Sequence, residues 1–205
     1  MPFIRLFMNL LYPFAKRFIA GPDLKTAIPN IRKIKESGYF SSIDILGESV
    51  STRQQAETAK MEYLKLFESL DSINHSFDFS IKLSQLGLGI DREFCAENLR
   101  QLAEAMGNHT IRLDMEGSAY TQGTLEICEA VHRTHPHIGQ AIQACLFRSK
   151  NDVRHCIENK ISVRLCKGAY KEPRDIALQS MDEIRAHFLE LAYQLLKEGH
   201  QPAIA

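Results

Sequence analysis

Two cations near the end of one apolar run form a pattern that favours the binding of an anion. Arg164 and Lys167 lie three residues apart in V-R-L-C-K-G-A-Y, and Gly168 and Ala169 follow them directly. Small residues let the backbone approach a bound group closely, and a turn of backbone N–H groups beside positive charge suits a phosphate or a carboxylate. The segment therefore predicts an anion-binding turn.

A lysine and an aspartate occupy comparable positions earlier in the chain. Lys82 lies in S-I-K-L-S-Q, and Asp114 lies in R-L-D-M-E. Each residue also has a simpler interpretation, because a strand lysine usually faces solvent and an aspartate often caps a helix or forms an ion pair. Together with the two cations, they would suit an anionic substrate that binds beside an anionic cofactor.

Alternating helices and strands must position these residues. Asp91 and Thr121 are the expected N-caps of two helices. Apolar residues that recur every three or four positions predict the helices Leu24–Glu36, Arg53–Leu70, Glu93–Met106, Thr124–Thr134, Lys150–Asn159 and Asp175–Glu198. Short apolar runs between them predict the strands Ser42–Leu46, Phe79–Leu83, Thr110–Asp114, Gly139–Ala144 and Ser162–Cys166, with the opening of a sixth at Pro202–Ala205.

Strands that alternate with helices indicate an α/β fold with a parallel sheet. In a (β/α)8 barrel, the active site is assembled from the C-terminal ends of several strands. Polar residues lie in the last part of the predicted strands or just after them: Asp44, Glu48, Lys82, Gln85, Asp114, Glu116, Gln143, Arg148, Arg164 and Lys167. An open doubly wound sheet also binds ligands at strand ends, but no glycine-rich phosphate motif follows any strand here, which favours the barrel.

The composition excludes some classes of protein. The 205 residues include 25 Lys+Arg and 25 Asp+Glu, so the net charge is zero. Nucleic-acid binding needs clustered excess positive charge, and we therefore expect no nucleic-acid partner. The five cysteines are odd in number and show no CxxC spacing, which indicates reduced thiols in a cytosolic setting.

The first 21 residues are apolar but are interrupted by Arg5, Pro13, Lys16 and Arg17, which makes them too broken to span a bilayer. We expect an amphipathic helix that packs on the domain rather than a signal peptide. Contact with a membrane surface is a weaker alternative, through Phe3, Leu6, Phe7 and Leu11.

A cluster of histidines, His132, His135 and His137, does not predict a metal site. The cluster lies between a predicted helix and a predicted strand, at the end of the sheet opposite the strand C-termini, and Pro136 breaks any helical ligand spacing. We expect solvated loop histidines and no metal.

Four segments resemble the proline dehydrogenases, the FAD-dependent enzymes that begin proline catabolism. The segments are S-I-K-L-S-Q-L-G (80–87), R-L-D-M-E-G-S-A-Y (112–120), I-Q-A-C-L-F-R (142–148) and V-R-L-C-K-G-A-Y-K-E-P (163–173). I-D-I-L-G-E (43–48) also resembles the first barrel strand of that family. The resemblance implies a distorted TIM-type (β/α)8 barrel with FAD at the strand C-termini, of which this chain supplies five βα units and the start of the sixth strand. The implied domains are an N-terminal helical arm (1–40) and a partial FAD-binding barrel (41–205).

The resemblance also implies roles for individual residues. Lys82 would pair with the carboxylate of L-proline, and Tyr170 would cap this substrate. Asp114 and Arg164 would be the catalytic residues: Asp114 as an active-site acid that holds Lys82 and Arg164 in place, and Arg164 near the flavin N5. The implied flavin contacts are Met115, Gln143, Lys167, Gly168 and Ala169, with Arg148 as a further basic neighbour.

The implied reaction is hydride transfer from proline C5 to FAD, which gives Δ1-pyrroline-5-carboxylate on the route to glutamate. Members of the family pass the electrons to a membrane quinone. The resemblance therefore implies a cytoplasmic protein with peripheral contact at the inner face of the membrane.

Two alternatives stay open at this point. The family would continue beyond G-H-Q-P-A-I-A with two further βα units and a final helix whose paired arginines clamp the proline carboxylate. The chain as written would then be a truncated, non-catalytic fragment whose open strand edges pair with another chain. The other alternative is a different barrel enzyme that acts on a small anionic metabolite.

Overall fold

The computed structural model describes residues 19–21, 23–47, 49–71, 73 and 75–205. The predicted N-terminal amphipathic helix and Glu48 lie outside these residues. The chain divides into two compact units: one comprises the residues up to Ser41 with Lys65–His75, and the other comprises Ser42–Leu64 with Ser76–Ala205. The predicted division into an arm (1–40) and a barrel (41–205) stays a prediction.

The first unit contains helix α1 (Leu24–Glu36). Asp23 is its N-cap, and the Asp23 carboxylate accepts a hydrogen bond from the Thr26 backbone N–H at 2.9 Å. This bond satisfies one of the N–H groups that the first turn of a helix leaves without a partner. The C-terminal part of a second helix, α2 (Arg53–Asp71), also lies in this unit and buries Leu66, Phe67 and Leu70.

The second unit is an alternation of strands and helices. The strands are β1 (Ser42–Asp44), β2 (Asp78–Ile81), β3 (Thr110–Leu113), β4 (Ile138–Gln143), β5 (Val163–Cys166) and β6 (Ala203–Ile204). The helices that follow β2 to β5 are α3 (Arg92–Ala105), α4 (Ser118–His132), α5 (Ser149–Glu158) and α6 (Met181–Glu198).

All five strand pairs are parallel, and the strands follow one another in chain order from β1 to β6. A doubly wound sheet would reverse its strand order at a switch point, whereas a barrel adds each strand beside the last. The chain therefore forms a six-stranded part of an α/β barrel, and the predicted fold is confirmed.

The two faces of the sheet differ in chemistry because successive side chains of a strand point to opposite faces. Fully buried apolar side chains occupy one face, among them Phe79, Ile81, Leu113 and Leu165. The alternate positions carry polar groups, such as Ser80, Arg112 and Arg164. The parallel register sets Ser80 opposite Arg112 and Ile81 opposite Leu113, so the ends of neighbouring strands meet at one edge.

Two helix starts differ from the sequence prediction. Helix α4 begins at Ser118 after the N-cap Gly117, so Thr121 is a buried residue inside the helix and not its N-cap. Residues 175–180 do not form the first turns of α6, because this segment bonds instead to the chain after β4. The Phe147 N–H donates to the Ile176 carbonyl at 3.0 Å, and the Leu178 N–H donates to the Cys145 carbonyl at 2.8 Å.

Two further observations concern the helices and the thiols. No helix among the described residues is long and apolar enough to cross a membrane. All five cysteines are free thiols, and four of them are buried.

The start of α6 yields a stability prediction. The Ser180 hydroxyl accepts a hydrogen bond from the Glu183 N–H at 3.1 Å, and the Glu183 carboxylate accepts one from the Ser180 N–H at 3.3 Å, which is a capping box. Ser180→Ala should lower the free energy of unfolding by about 1 kcal/mol, measured by urea denaturation. Ser180→Thr keeps the hydroxyl and should match the wild type; an equal loss in both variants would contradict the capping role.

Candidate active site

Three charged side chains from three strands meet at the C-terminal edge of the sheet. Lys82 follows β2, Asp114 follows β3, and Arg164 lies on β5. The Lys82 Nζ lies 3.1 Å from Asp114 Oδ2, and Arg164 Nη2 donates to Asp114 Oδ1. One carboxylate therefore bridges two cations, each bound to a different oxygen. The side chains are only 18–21% exposed, so water screens these charges weakly.

Ser80 forms hydrogen bonds with two members of this cluster. The buried Ser80 hydroxyl donates to Asp114 Oδ1 at 2.6 Å and accepts a hydrogen bond from Arg164 Nη2 at 2.8 Å. Sequence reasoning assigned Ser80 no role. The signal that could have revealed it is its spacing, because Ser80 lies two positions before Lys82 on the same strand face.

A second carboxylate, Asp44 of β1, lies on the other side of the lysine. Its Oδ2 is 3.2 Å from Lys82 Nζ. Burial raises the pKa of Asp44, although the positive charge of Lys82 opposes the shift. Burial alone would lower the pKa of Lys82, but the carboxylates of Asp114 and Asp44 together outweigh burial and raise it. Lys82 therefore keeps its positive charge at neutral pH.

The predicted anion-binding turn follows β5 directly. Residues 167–171 are exposed, and Gly168 adopts a left-handed conformation with φ +113°. A side chain at Gly168 would collide with the Sγ of Cys145 and would lie 3.3 Å from Gln143 Oε1, so only glycine fits there. The Lys167 ammonium lies 4.8 Å from the centre of the Phe188 ring, in a cation–π contact.

The other expected site residues lie at the ends of β3 and β4 and on this turn. Gln143, at the end of β4, is buried, and its amide donates to the Glu116 carbonyl at 3.0 Å. Met115 is also buried, next to Asp114, whereas Ala169 and Tyr170 are exposed on the turn. The structure thus brings Lys82, Asp114 and Arg164 into direct contact and places Gln143 against Gly168.

Arg148 is held at the start of α5 rather than in the charged cluster. Its guanidinium binds both carboxylate oxygens of Asp152, at 2.7 and 3.0 Å, and donates to Gln122 at 2.6 Å. Bidentate arginine–carboxylate contacts fix the guanidinium plane. The side chain is 39% exposed, so this face of Arg148 still borders solvent.

The expected exposure of the histidine cluster is wrong for one member. His132 is the last residue of α4 and is 9% exposed, and its Nδ1 lies 2.7 Å from the Ile138 carbonyl oxygen. This contact joins the end of α4 to the first residue of β4. Among the described residues, no group of three or more His, Cys, Asp or Glu side chains could hold a metal ion.

Two cavities lie away from the charged cluster, near the N-terminal ends of β3 to β5. Their volumes are about 400 and 130 Å³, and Pro136 and His200 line both. The charged cluster lies at the opposite end of the strands and is partly exposed, Asp44 most of all with 37% of its side chain accessible. Because the charged groups converge there, that end is the better candidate for the active site.

The fold and this cluster define a (βα)-barrel protein with a charged site at the C-terminal ends of its strands. Residues 27–184 match the family model of proline dehydrogenase, and the chain belongs to this family.

Relatives support the assignment. The chain is 28% identical to Proline dehydrogenase 1 of Bacillus subtilis over 193 residues, which are 93% of this chain and 64% of that protein. It is also 28% identical to proline dehydrogenase of Deinococcus radiodurans over 95% of this chain and 65% of the relative. The chain therefore spans about two thirds of the length of these relatives.

A solved structure supports the fold. The crystal structure of proline utilization A from Bdellovibrio bacteriovorus, inactivated by N-propargylglycine, superposes with a TM-score of 0.82 at 21% identity. The match covers 95% of this chain and 25% of that one. The six parallel strands thus correspond to part of a known α/β barrel.

Removal of the shared carboxylate should destabilise the protein. Asp114→Ala leaves Lys82 and Arg164 without their common partner, and we expect a loss of about 1–3 kcal/mol in the free energy of unfolding. Urea denaturation measures the loss. Asp182→Ala is the matched control, because Asp182 forms an exposed ion pair with Arg185 at 3.1 Å and its removal should cost little. Equal effects of the two substitutions would contradict the central position of Asp114.

Proposed function

We propose that the protein is an FAD-dependent proline dehydrogenase that oxidises L-proline to Δ1-pyrroline-5-carboxylate, the first step towards glutamate. Membership of the family supports the substrate class and the redox chemistry. The observation that carries the proposal is the contact of Lys82, Asp114 and Arg164 at the C-terminal ends of the strands. An anionic amino acid carboxylate and an anionic cofactor both need such fixed positive charge.

The residues around the turn after β5 suit a flavin dinucleotide. Gly168 leaves the backbone free of a side chain at an exposed turn, and Lys167 adds positive charge beside it. The residues that would hold FAD are Met115, Gln143, Lys167, Gly168 and Ala169. When bound, FAD supplies the hydride acceptor for proline C5.

Each of the three side chains of the charged cluster would have a different role. Lys82 would bind the substrate carboxylate, for which its raised pKa keeps it protonated. Asp114 would orient Lys82 and Arg164 by its two oxygens, and Arg164 would place positive charge beside the cofactor. Tyr170, on the exposed turn, would cover the substrate.

The proposed electron acceptor is a quinone of the respiratory chain. A quinone resides in a membrane, so the protein would have to bind peripherally to that membrane. We place the protein in the cytoplasm, which makes this the inner face. The free thiols of all five cysteines agree with a reducing compartment.

The visible spectrum tests the proposal directly. We expect the purified protein to carry a yellow flavin, or to bind added FAD with quenching of flavin fluorescence, and to reduce an artificial dye only when L-proline is present. N-propargylglycine should abolish this reduction, and D-proline should not support it. A protein that neither retains nor binds FAD would overturn the proposal and favour a non-catalytic role.

The role of Lys82 is tested by substitution in the flavin-loaded protein. Lys82→Met removes a charged hydrogen bond to the carboxylate, which is worth about 1.5–3 kcal/mol. We therefore expect the KM for L-proline to rise by about 10- to 100-fold. Lys150→Met is the matched control, because the Lys150 ammonium forms an exposed pair with Glu190 at 2.5 Å. An unchanged KM in Lys82→Met would refute the assigned role.

A further inference from the structure

Glu116 is a buried acidic residue next to the candidate active site to which the proposed reaction gives no task. It is 6% exposed. Its carboxylate accepts hydrogen bonds from the Ser84 backbone N–H, at 3.0 Å, and from the Ser84 hydroxyl. Removing a carboxylate from water is unfavourable unless hydrogen bonds replace the water. Both replacement bonds come from one residue, so the carboxylate is a specific partner for Ser84.

The contact between Glu116 and Ser84 lies directly beyond the ion pair of Lys82 and Asp114. Ser84 is two residues after Lys82, and Glu116 is two residues after Asp114. The Asp114 N–H donates to the Ile81 carbonyl at 2.8 Å, which is the last sheet-type bond between these two chain segments. Beyond this bond, the Ser84–Glu116 contact joins the same two segments that the Lys82–Asp114 pair joins.

The backbone carbonyl of Glu116 contacts the end of β4, on the side away from Ser84. Its carbonyl oxygen accepts a hydrogen bond from the Gln143 amide at 3.0 Å, and the Gln143 carbonyl accepts one from the Ser149 hydroxyl. One residue thus connects the chain after β2 with the end of β4 and the start of α5. Gln143 in turn lies against Gly168 of the exposed turn.

We propose that Glu116 is a positioning residue of the candidate active site. By holding Ser84 it keeps Lys82 against Asp114, and by its carbonyl it fixes the amide of Gln143. The inference rests on the proposed function insofar as it takes the Lys82 ammonium as the group that binds the substrate carboxylate. Its test depends on the environment of Lys82 alone and needs neither proline nor FAD.

The test measures how fast the Lys82 amine is acetylated. The reagent is N-hydroxysulfosuccinimide acetate at mildly alkaline pH, and peptide mass spectrometry follows the reaction. Only the neutral amine reacts. Burial favours that neutral form, whereas the contact with Asp114 opposes it. Loss of this contact should therefore speed acetylation, and one pKa unit changes the neutral fraction about tenfold.

We expect Glu116→Ala to raise the acetylation rate of Lys82 about tenfold. Glu116→Gln keeps one acceptor for the Ser84 N–H. The acetylation rate of Lys82 in this variant should therefore lie close to that of the wild type. Lys60, which donates to Gln101 at 2.8 Å, is the internal reference and should not change. Glu126→Ala removes an exposed partner of Arg92 and should leave Lys82 unaffected.

Two outcomes would overturn the proposal. One is a Lys82 rate in Glu116→Ala equal to that of the wild type. The other is an equal rise at Lys82 and Lys60, which would show general loosening of the fold. If Glu116→Ala does not fold, as judged by circular dichroism, Ser84→Ala removes one of the two bonds and is scored in the same way. A protein that passes this test but binds no FAD would refute the proposed function and leave the role of Glu116 intact.

Discussion

The position of Asp114 between Lys82 and Arg164 is the constraint on which the candidate site depends. Two cations that are only about one fifth exposed repel each other strongly, and an anion that contacts both offsets this repulsion. The carboxylate provides one oxygen for each cation, and Ser80 binds both Asp114 and Arg164. The charges are therefore fixed before any ligand arrives, which is the property that electrostatic stabilisation of a reaction requires.

The sheet makes this arrangement possible. Lys82, Asp114 and Arg164 are 32 and 50 residues apart in the chain, and only a parallel register brings their strand ends to one edge. Apolar residues at the alternate positions bury the opposite face, so a slip of one residue would exchange the buried and polar faces. The same hydrophobic pattern that folds the sheet thus sets the direction of the charged side chains of the cluster.

Much of this could be predicted from the sequence. Periodicity placed the strands and most helices within a few residues, and family motifs singled out Lys82, Asp114 and Arg164. The remainder depended on tertiary contacts. Ser80 has an ordinary side chain whose role exists only beside two other strands. Thr121 looked like an N-cap but is buried inside α4, and His132 looked like a loop residue but bonds the first residue of β4.

The two carboxylates beside Lys82 also limit the ability of its amine to act as a nucleophile. A protonated amine has no lone pair and cannot attack a carbonyl or an imine carbon. Asp44 and Asp114 keep Lys82 protonated, so in its proposed role the side chain would bind a carboxylate without condensing with another carbon of the same molecule. The contacts that hold the Lys82 ammonium in place therefore also lower the reactivity of this amine as a nucleophile.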